Sequence, residues 1–150
     1  MRSLKATFSP AAPYAMLPIR LMLFLIFSYR GTQKLFGWFD GPGLEGTTQF
    51  IASVGVPVPQ AFAFLFSAIQ VAGSVAFLVG AGVRLFSILL IGLTIAASAG
   101  QWAFGWDYVA GGIEYNVAIM AMCLGLLFAG PGWASIEWAD EEGAAPGAIS

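Results

Sequence analysis

Four long apolar segments constrain this chain more than any other feature of its sequence. They cover residues 17–36, 61–80, 83–102 and 113–129, and turns rich in glycine and proline separate them. A helix needs about 20 mainly apolar residues (range about 17–25) to cross the hydrocarbon core of a bilayer, and all four segments provide this. We therefore predict an all-α fold, an integral membrane four-helix bundle within residues 17–138.

The scarcity of charged residues indicates the same class of protein. Charged residues make up 9% of the chain and hydrophobic residues 59%, whereas a soluble domain carries about 25% charged residues. A soluble chain of 150 residues could not cover so apolar a surface with so few charges. The net charge is −2 and there is no basic cluster, so we expect membrane lipid as a partner and no nucleic acid.

The distribution of cations predicts how the bundle is oriented. Two cations, Arg30 and Lys34, flank one side of the predicted bundle. Four flank the side that carries both termini: Arg2, Lys5, Arg20 and Arg84. Because cytoplasmic flanks carry the excess of Lys and Arg, we expect both termini in the cytoplasm. Tryptophans at the span ends form an outer belt of Trp38, Trp102 and Trp106 and an inner belt of Trp133 and Trp138.

Three segments lie outside the predicted spans. Residues 1–16 are expected to form a cytoplasmic arm, and residues 139–150 an acidic and then flexible tail. The connection between the first two spans is polar and rich in glycine and proline. Thr47 or Thr48 there could cap a short helix from Gln49 to Val54, which is too short to cross and would lie in the external interface.

Small residues indicate where the predicted helices approach one another. Each of the last three spans carries a row of alanine or glycine at every fourth position, which lets helix backbones come close in lipid. The rows are Ala72, Ala76 and Gly80; Gly92, Ala96 and Gly100; and Ala121, Gly125 and Ala129. Alanine and glycine are common throughout the chain, but three rows together favour a compact bundle.

Polar side chains in the membrane region are few, and they are the candidate site residues. We select Arg30, Lys34, Gln70, Gln101 and Glu114 as possible contacts of a lipid head group or a quinone. A charge in or near a span is costly unless it is paired, reaches the interface or lines a polar cavity. Arg30 and Lys34 lie four residues apart and should therefore share one face of the first helix.

Glu114 opens the fourth span on the side where the two cations close the first. If these spans adjoin, an ion pair between Glu114 and Arg30 or Lys34 would cover the outer side of the bundle. The alternative is that both cations anchor to lipid phosphate. For Gln70, the alternatives are a hydrogen bond between two helices and a contact with a ligand.

Several kinds of functional site are excluded by the residue inventory. The chain has no histidine and one cysteine, Cys123 in an apolar run, so it lacks an internal disulfide, a Cys/His zinc site and an axial histidine for haem. No nucleophile–base pair and no phosphate-binding glycine loop is visible. We expect no catalytic activity from the chain alone, and no cofactor bound covalently or through metal ligands. Quinone and lipid remain the candidate ligands.

Five short sequence elements, spread between Arg20 and Trp138, resemble those of the DoxX family of small four-span membrane proteins. They are Gly31-x-x-Lys34-Leu35-Phe36-Gly37, Val54-Gly55-Val56-Pro57, Gly80-x-x-x-Arg84, Gly111-Gly112-x-Glu114 and Gly130-Pro131-Gly132-x-x-Ser135-Ile136-Glu137. The resemblance implies a bacterial or archaeal cytoplasmic-membrane protein. Some relatives belong to membrane redox systems, including a subunit of a thiosulfate:quinone oxidoreductase.

Three positions depart from the family pattern. Relatives often carry histidine just before the position of Gly31, an acid at the position of Gln70 and histidine near that of Gln101. Here Arg30, Gln70 and Gln101 stand there, and none can exchange a proton near neutral pH. We therefore predict an accessory, non-catalytic subunit of a larger membrane redox or energy-transducing complex. The alternatives are a quinone-interacting subunit and, more weakly, a transporter or chaperone for lipid-like cargo.

Overall fold

The computed structural model describes residues 14–107, 109 and 111–136. In this part of the chain the regular structure is helical, without a strand. A 3₁₀ turn, Trp102–Phe104, extends the fourth helix. The α-helices are α1 (Met16–Phe36), α2 (Gly43–Ser53), α3 (Pro59–Val79), α4 (Val83–Gln101) and α5 (Glu114–Ala129). The predicted tail with Trp138, and most of the N-terminal arm, lie outside the described residues.

The four long helices begin and end within two residues of the predicted apolar segments. Local signals fix these ends. Pro59 is the first residue of α3, where its fixed φ suits a helix and its missing N–H costs little. Gly37 and Gly80 end α1 and α3 in the left-handed conformation, with φ of 74° and 73°.

The short helix in the first connection differs from its prediction. It begins at Gly43 rather than at Gln49. The expected capping role of Thr47 and Thr48 is wrong, because both hydroxyls lie inside the helix. Each donates a 2.7 Å hydrogen bond to the carbonyl four residues earlier, on Gly43 and Leu44.

Two of the described helical segments are long and apolar enough to cross a membrane, Pro59–Val79 and Val83–Phe104. Helix α5 is apolar but has only 16 residues. Helix α1 has 21 residues but carries Arg20, Arg30 and Lys34. The predicted four-span arrangement therefore depends on how α1 accommodates its charges.

The helices pack around one apolar core. Helix α1 packs against α3 and α5, α4 packs against α3 and α5, and α2 covers one end of α1 and α3. Cys123 is fully buried in this core and fills space as a small apolar residue. The buried core residues are Leu23 and Phe27 of α1, Phe77 of α3, Val83 and Leu90 of α4, and Ile119, Cys123 and Leu126 of α5.

Two close helix approaches use glycines outside the three predicted rows. A Cβ on Gly31 of α1 would lie 2.8 Å from the Val71 side chain and 3.0 Å from its backbone nitrogen on α3. A Cβ on Gly73 of α3 would lie 2.7 Å from Leu90 of α4. These glycines set the spacing of α1, α3 and α4.

The predicted rows lie at different depths in the bundle. Ala76 and Gly80 are buried, whereas Ala72 is exposed, and so are Ala121 and Ala129 around the half-buried Gly125. The row on α4 is exposed throughout: Gly92, Ala96 and Gly100. Within the described chain no helix covers this row, so it does not make the contact inside the bundle that the sequence predicted.

The difference between Gly31 and Gly92 gives a matched test of the fold. We expect Gly31→Ala to destabilise the protein by about 1–3 kcal/mol, because the added methyl meets the α3 backbone. Gly92→Ala should be neutral or stabilising by up to about 1 kcal/mol, because a Cβ there meets nothing within 4 Å and alanine favours the helix. Chemical unfolding in detergent micelles measures both; equal effects would contradict this packing.

Candidate functional site

The two cations of α1 reach in different directions. The guanidinium carbon of Arg30 lies 4.6 Å from the ring centroid of Tyr115 on α5. The ammonium of Lys34 lies 4.6 Å from the ring centroid of Phe66 on α3. Their Cα positions share a face, as the spacing predicts, but the long side chains diverge to opposite neighbours. The two candidates therefore occupy separate environments.

Lys34 belongs to a polar contact between α1, α2 and α3. Its ammonium donates a 3.3 Å hydrogen bond to the side-chain oxygen of Gln70, which is buried. The Lys34 carbonyl accepts a 3.3 Å hydrogen bond from the hydroxyl of Thr47 on α2. An amide oxygen and an aromatic face both stabilise a cation away from water. Gln70 thus forms the hydrogen bond between helices that the sequence offered as one alternative.

Gln101 takes part in a second contact, between α4 and α5. The buried amide of Asn116 donates to the side-chain oxygen of Gln101 at 2.6 Å and to the hydroxyl of Ser98 at 3.1 Å. The two donors of one amide group are therefore satisfied by α4. Gln70 and Gln101, both selected as ligand contacts, each have a partner on an adjacent helix.

Glu114 is the first residue of α5 and is exposed. Its amide donates a 3.0 Å hydrogen bond to the carbonyl of Trp106. A carboxylate in the first turn also complements the positive end of the helix dipole. Arg30 contacts the next residue, Tyr115, so it reaches this first turn. An ion pair between Glu114 and Arg30 or Lys34 stays a prediction.

Sequence reasoning missed the role of Arg20, which it treated only as a flanking charge. The side chain is 0% exposed. Its guanidinium donates to the carbonyls of Phe77 at 2.9 Å and Leu78 at 3.0 Å in the last turn of α3. It also donates at 3.1–3.2 Å to three carbonyls of the segment after α5: Pro131, Trp133 and Ala134. The element Gly130-Pro131-Gly132 could have indicated this role, because it predicts irregular backbone. The carbonyls of such backbone need hydrogen-bond donors when they are buried.

A groove of about 660 Å³ opens beside Arg30. Of the five candidate site residues, Arg30 is the one that lines it. The rings of Tyr29 and Phe39 stack at 4.9 Å on its rim. Its walls are the α1 residues Leu25, Ile26, Ser28, Tyr29, Arg30 and Thr32, the loop residues Trp38 and Phe39, and Tyr115 of α5.

The described members of the predicted aromatic belts lie at the surface. Trp38, Trp102 and Trp106 are exposed at the ends of α1 and α4 and in the loop before α5. Trp133 follows α5, and its ring centroid lies 4.6 Å from that of Tyr14, just before α1. The beginning and end of the described chain therefore meet at the end of the bundle that Arg20 joins.

Comparison with known proteins assigns these helices to a family. The model of the DoxX family matches residues 15–114, which hold α1 to α4 and the candidate residues Arg30, Lys34, Gln70, Gln101 and Glu114.

The chain belongs to the DoxX family.

A relative in Escherichia coli (strain K12), Inner membrane protein YphA, is 27% identical over 137 residues, covering 87% of this chain and 93% of the relative. No solved structure matches the chain. The DoxX match, together with two helices long and apolar enough to cross a bilayer, identifies a membrane protein.

Arg20 provides a test of the contacts at this end of the DoxX chain. We expect Arg20→Leu to destabilise the protein by more than about 3 kcal/mol, because several buried carbonyls lose their donor. The matched change Arg84→Leu removes an exposed cation and should cost less than about 1 kcal/mol. Thermal unfolding of detergent-solubilised protein compares the two; similar losses would exclude a special role for Arg20.

Proposed function

We propose that this DoxX-family chain is a four-span protein of the cytoplasmic membrane, with both termini in the cytoplasm. In this proposal it acts as an accessory, non-catalytic subunit of a larger membrane complex. The observation that carries the accessory role is the unfilled small-residue row on α4: Gly92, Ala96 and Gly100.

The α4 row resembles a helix-packing face without a helix on it. A Cβ on Gly92 or Gly100 would meet nothing within 4 Å, whereas one on Gly31 or Gly73 would collide with a neighbouring helix. Glycine inside a helix costs about 1 kcal/mol relative to alanine, so it is favoured where a second backbone comes close. Lipid tails gain nothing comparable from a glycine. A span of another subunit is the occupant that suits this row.

Side chains beside the row favour the same partner. Ile88 and Ile95, one turn on each side of Gly92, are more than half exposed. In a helix, residues three and four apart lie on one face, so these branched residues flank the glycine. The resulting face has a narrow depression between two apolar side chains, and a partner helix can enter it.

The four-span arrangement is supported by the way α1 accommodates its charges. Arg20 is buried and bonds to backbone carbonyls. Lys34 and Arg30 are half-buried, and they contact Gln70 with Phe66 and Tyr115, respectively. None of these contacts requires a cation to face hydrocarbon, so the remaining apolar surface of α1 can. The contact of Tyr14 with Trp133 supports termini on one side. The relative named as an inner membrane protein is consistent with the location.

The nature of the larger complex is inferred from the family and from the polar residues. Some DoxX relatives belong to redox systems, which favours a redox or energy-transducing complex. The amides of Gln70, Gln101 and Asn116 are used in contacts between helices, and amides do not exchange protons near neutral pH. An accessory role therefore fits better than proton-coupled catalysis by this chain.

A quinone-interacting role is the second candidate, and the groove beside Arg30 favours it. The groove combines aromatic rings with one strong hydrogen-bond donor, a combination that would accept a flat ring bearing carbonyls. Its described lining carries no carboxylate and no histidine. A proton for quinone reduction would therefore have to come from a partner subunit.

The α4 row makes the accessory role testable. The tagged chain is purified from its native membrane in mild detergent, and co-eluting proteins are quantified. We expect Gly92→Leu to reduce the main co-eluting subunit at least about tenfold, because loss of about 1.4 kcal/mol of helix packing gives that factor. Ala72→Leu is the matched control, because Ala72 is an exposed small residue of α3.

Two outcomes would contradict the accessory role. One is a wild-type chain that elutes alone under every mild condition. The other is a partner that stays bound to the folded Gly92→Leu protein as strongly as to the Ala72→Leu protein.

A further inference from the structure

The groove beside Arg30 has the features of a site for one lipid molecule. We propose that it binds an anionic phospholipid of the outer leaflet, with the phosphate on Arg30 and one acyl chain along Leu25 and Ile26. The proposal rests on the four-span arrangement proposed above, which places α1 in the membrane. It does not depend on the accessory role or on the α4 row.

The charge of Arg30 calls for an anion. Its guanidinium is half-buried and contacts the ring face of Tyr115. Among the described residues, its side chain makes no hydrogen bond. An aromatic face attracts a cation but accepts no strong hydrogen bond, so the N–H groups remain able to bind an acceptor. A phosphate accepts two of them in the bidentate geometry that suits arginine.

Two hydroxyls beside Arg30 are used within α1, so Arg30 is the charged donor that this helix offers to the groove. The hydroxyl of Ser28 donates to the carbonyl of Phe24 at 2.6 Å, and that of Thr32 donates to the carbonyl of Ser28 at 2.7 Å. Both protons are thus used within the helix. A head group entering the groove would be oriented mainly by the guanidinium.

The order of residues along α1 matches the order of groups in a phospholipid. Leu25 and Ile26 lie four to five residues, or about 6–8 Å, on the cytoplasmic side of Arg30 and therefore deeper in the bilayer. Trp38 and Phe39 lie on the outer side. Tryptophan marks the level of the head groups. Tyr115, in the first turn of α5, puts the guanidinium near the outer boundary as well.

The outer wall of the groove is held in an unusual conformation. Phe39 and Asp40 are consecutive residues with φ of 54° and 57°, in the left-handed region that bulky side chains rarely adopt. This conformation lets the Phe39 ring stack on Tyr29 of α1 at 4.9 Å. Strain of this kind persists where surrounding contacts maintain it, often at ligand sites. Here it closes one side of a groove of about 660 Å³, within the range of ligand pockets.

An anionic lipid satisfies this groove better than a quinone does. A quinone carbonyl can accept one N–H bond, but it is neutral and carries no charge that complements the guanidinium of Arg30. A phosphodiester supplies the acceptor atoms and the negative charge together. Inorganic phosphate shares that head-group chemistry but would leave the apolar wall of Leu25 and Ile26 unoccupied.

Native mass spectrometry of the detergent-solubilised full chain tests the proposal. The added probes are phosphatidylglycerol and phosphatidylcholine with identical acyl chains. We expect wild-type protein to prefer phosphatidylglycerol about tenfold, because both lipids carry the phosphodiester but the choline cation of phosphatidylcholine is repelled by Arg30. Arg30→Gln should lose the preference, and Arg30→Lys should keep part of it. Leu25→Trp, which fills the apolar end, should weaken binding of both lipids.

Matched controls separate this site from other causes. Arg84→Gln removes an exposed cation outside the groove and should leave the preference unchanged, as should Gly92→Leu on α4. If Arg30→Gln fails to fold, Arg30→Lys and Leu25→Trp still test the head-group and acyl-chain contacts. A wild-type chain that elutes alone but keeps its lipid preference would count against the accessory role alone.

Four results would overturn the lipid site. The first is an unchanged preference for phosphatidylglycerol in folded Arg30→Gln protein, and the second is an equal loss of that preference in Arg84→Gln protein. The third is displacement of the bound lipid by millimolar inorganic phosphate. The fourth is displacement of the bound lipid by ubiquinone at a lower concentration than by added phosphatidylglycerol. The third result would indicate a free-anion site and the fourth a quinone site.

Discussion

The hydrogen bonds of Arg20 to backbone carbonyls are the interaction on which the rest of this structure depends. One guanidinium joins the beginning of α1, the last turn of α3 and the irregular segment after α5. At membrane depth, backbone carbonyls must find partners inside the protein, and a cation also complements the negative end of a helix dipole. These bonds let α5 end after 16 residues, and they hold the two ends of the described chain together.

Away from the contacts of Arg20, the bundle leaves two surfaces uncovered, one beside Arg30 and one along α4. Lys34 is used between helices with Gln70, whereas Arg30 contacts Tyr115 and lines an open groove. Helix α4 contributes its inner face to the core and leaves Gly92, Ala96 and Gly100 uncovered. One end closed by hydrogen bonds and two uncovered surfaces are what the proposed accessory membrane subunit with a bound lipid would need.

Hydropathy and turn residues were sufficient to predict the long helices, because Pro59, Gly37 and Gly80 end or begin them through local backbone geometry. Three features required three-dimensional information. The positive-inside rule counts Arg20 as a flanking charge and says nothing of burial. Spacing puts Arg30 and Lys34 on one face but does not tell which neighbour each long side chain reaches. Small-residue rows look alike on a packed and an uncovered face, so the sequence could not distinguish Gly92 from Gly31.

The central claim is a four-span DoxX protein whose two ends meet at the cytoplasmic end of the bundle, and thiol labelling across intact membranes tests it most directly. Single cysteines at Tyr14, Trp133, Trp38 and Trp106 are introduced in a Cys123→Ala background. A membrane-impermeant maleimide should label positions 38 and 106 in intact cells, and 14 and 133 only after the membrane is opened. Labelling of 14 and 133 from opposite sides, or protection of both 38 and 106 in intact cells, would contradict the account.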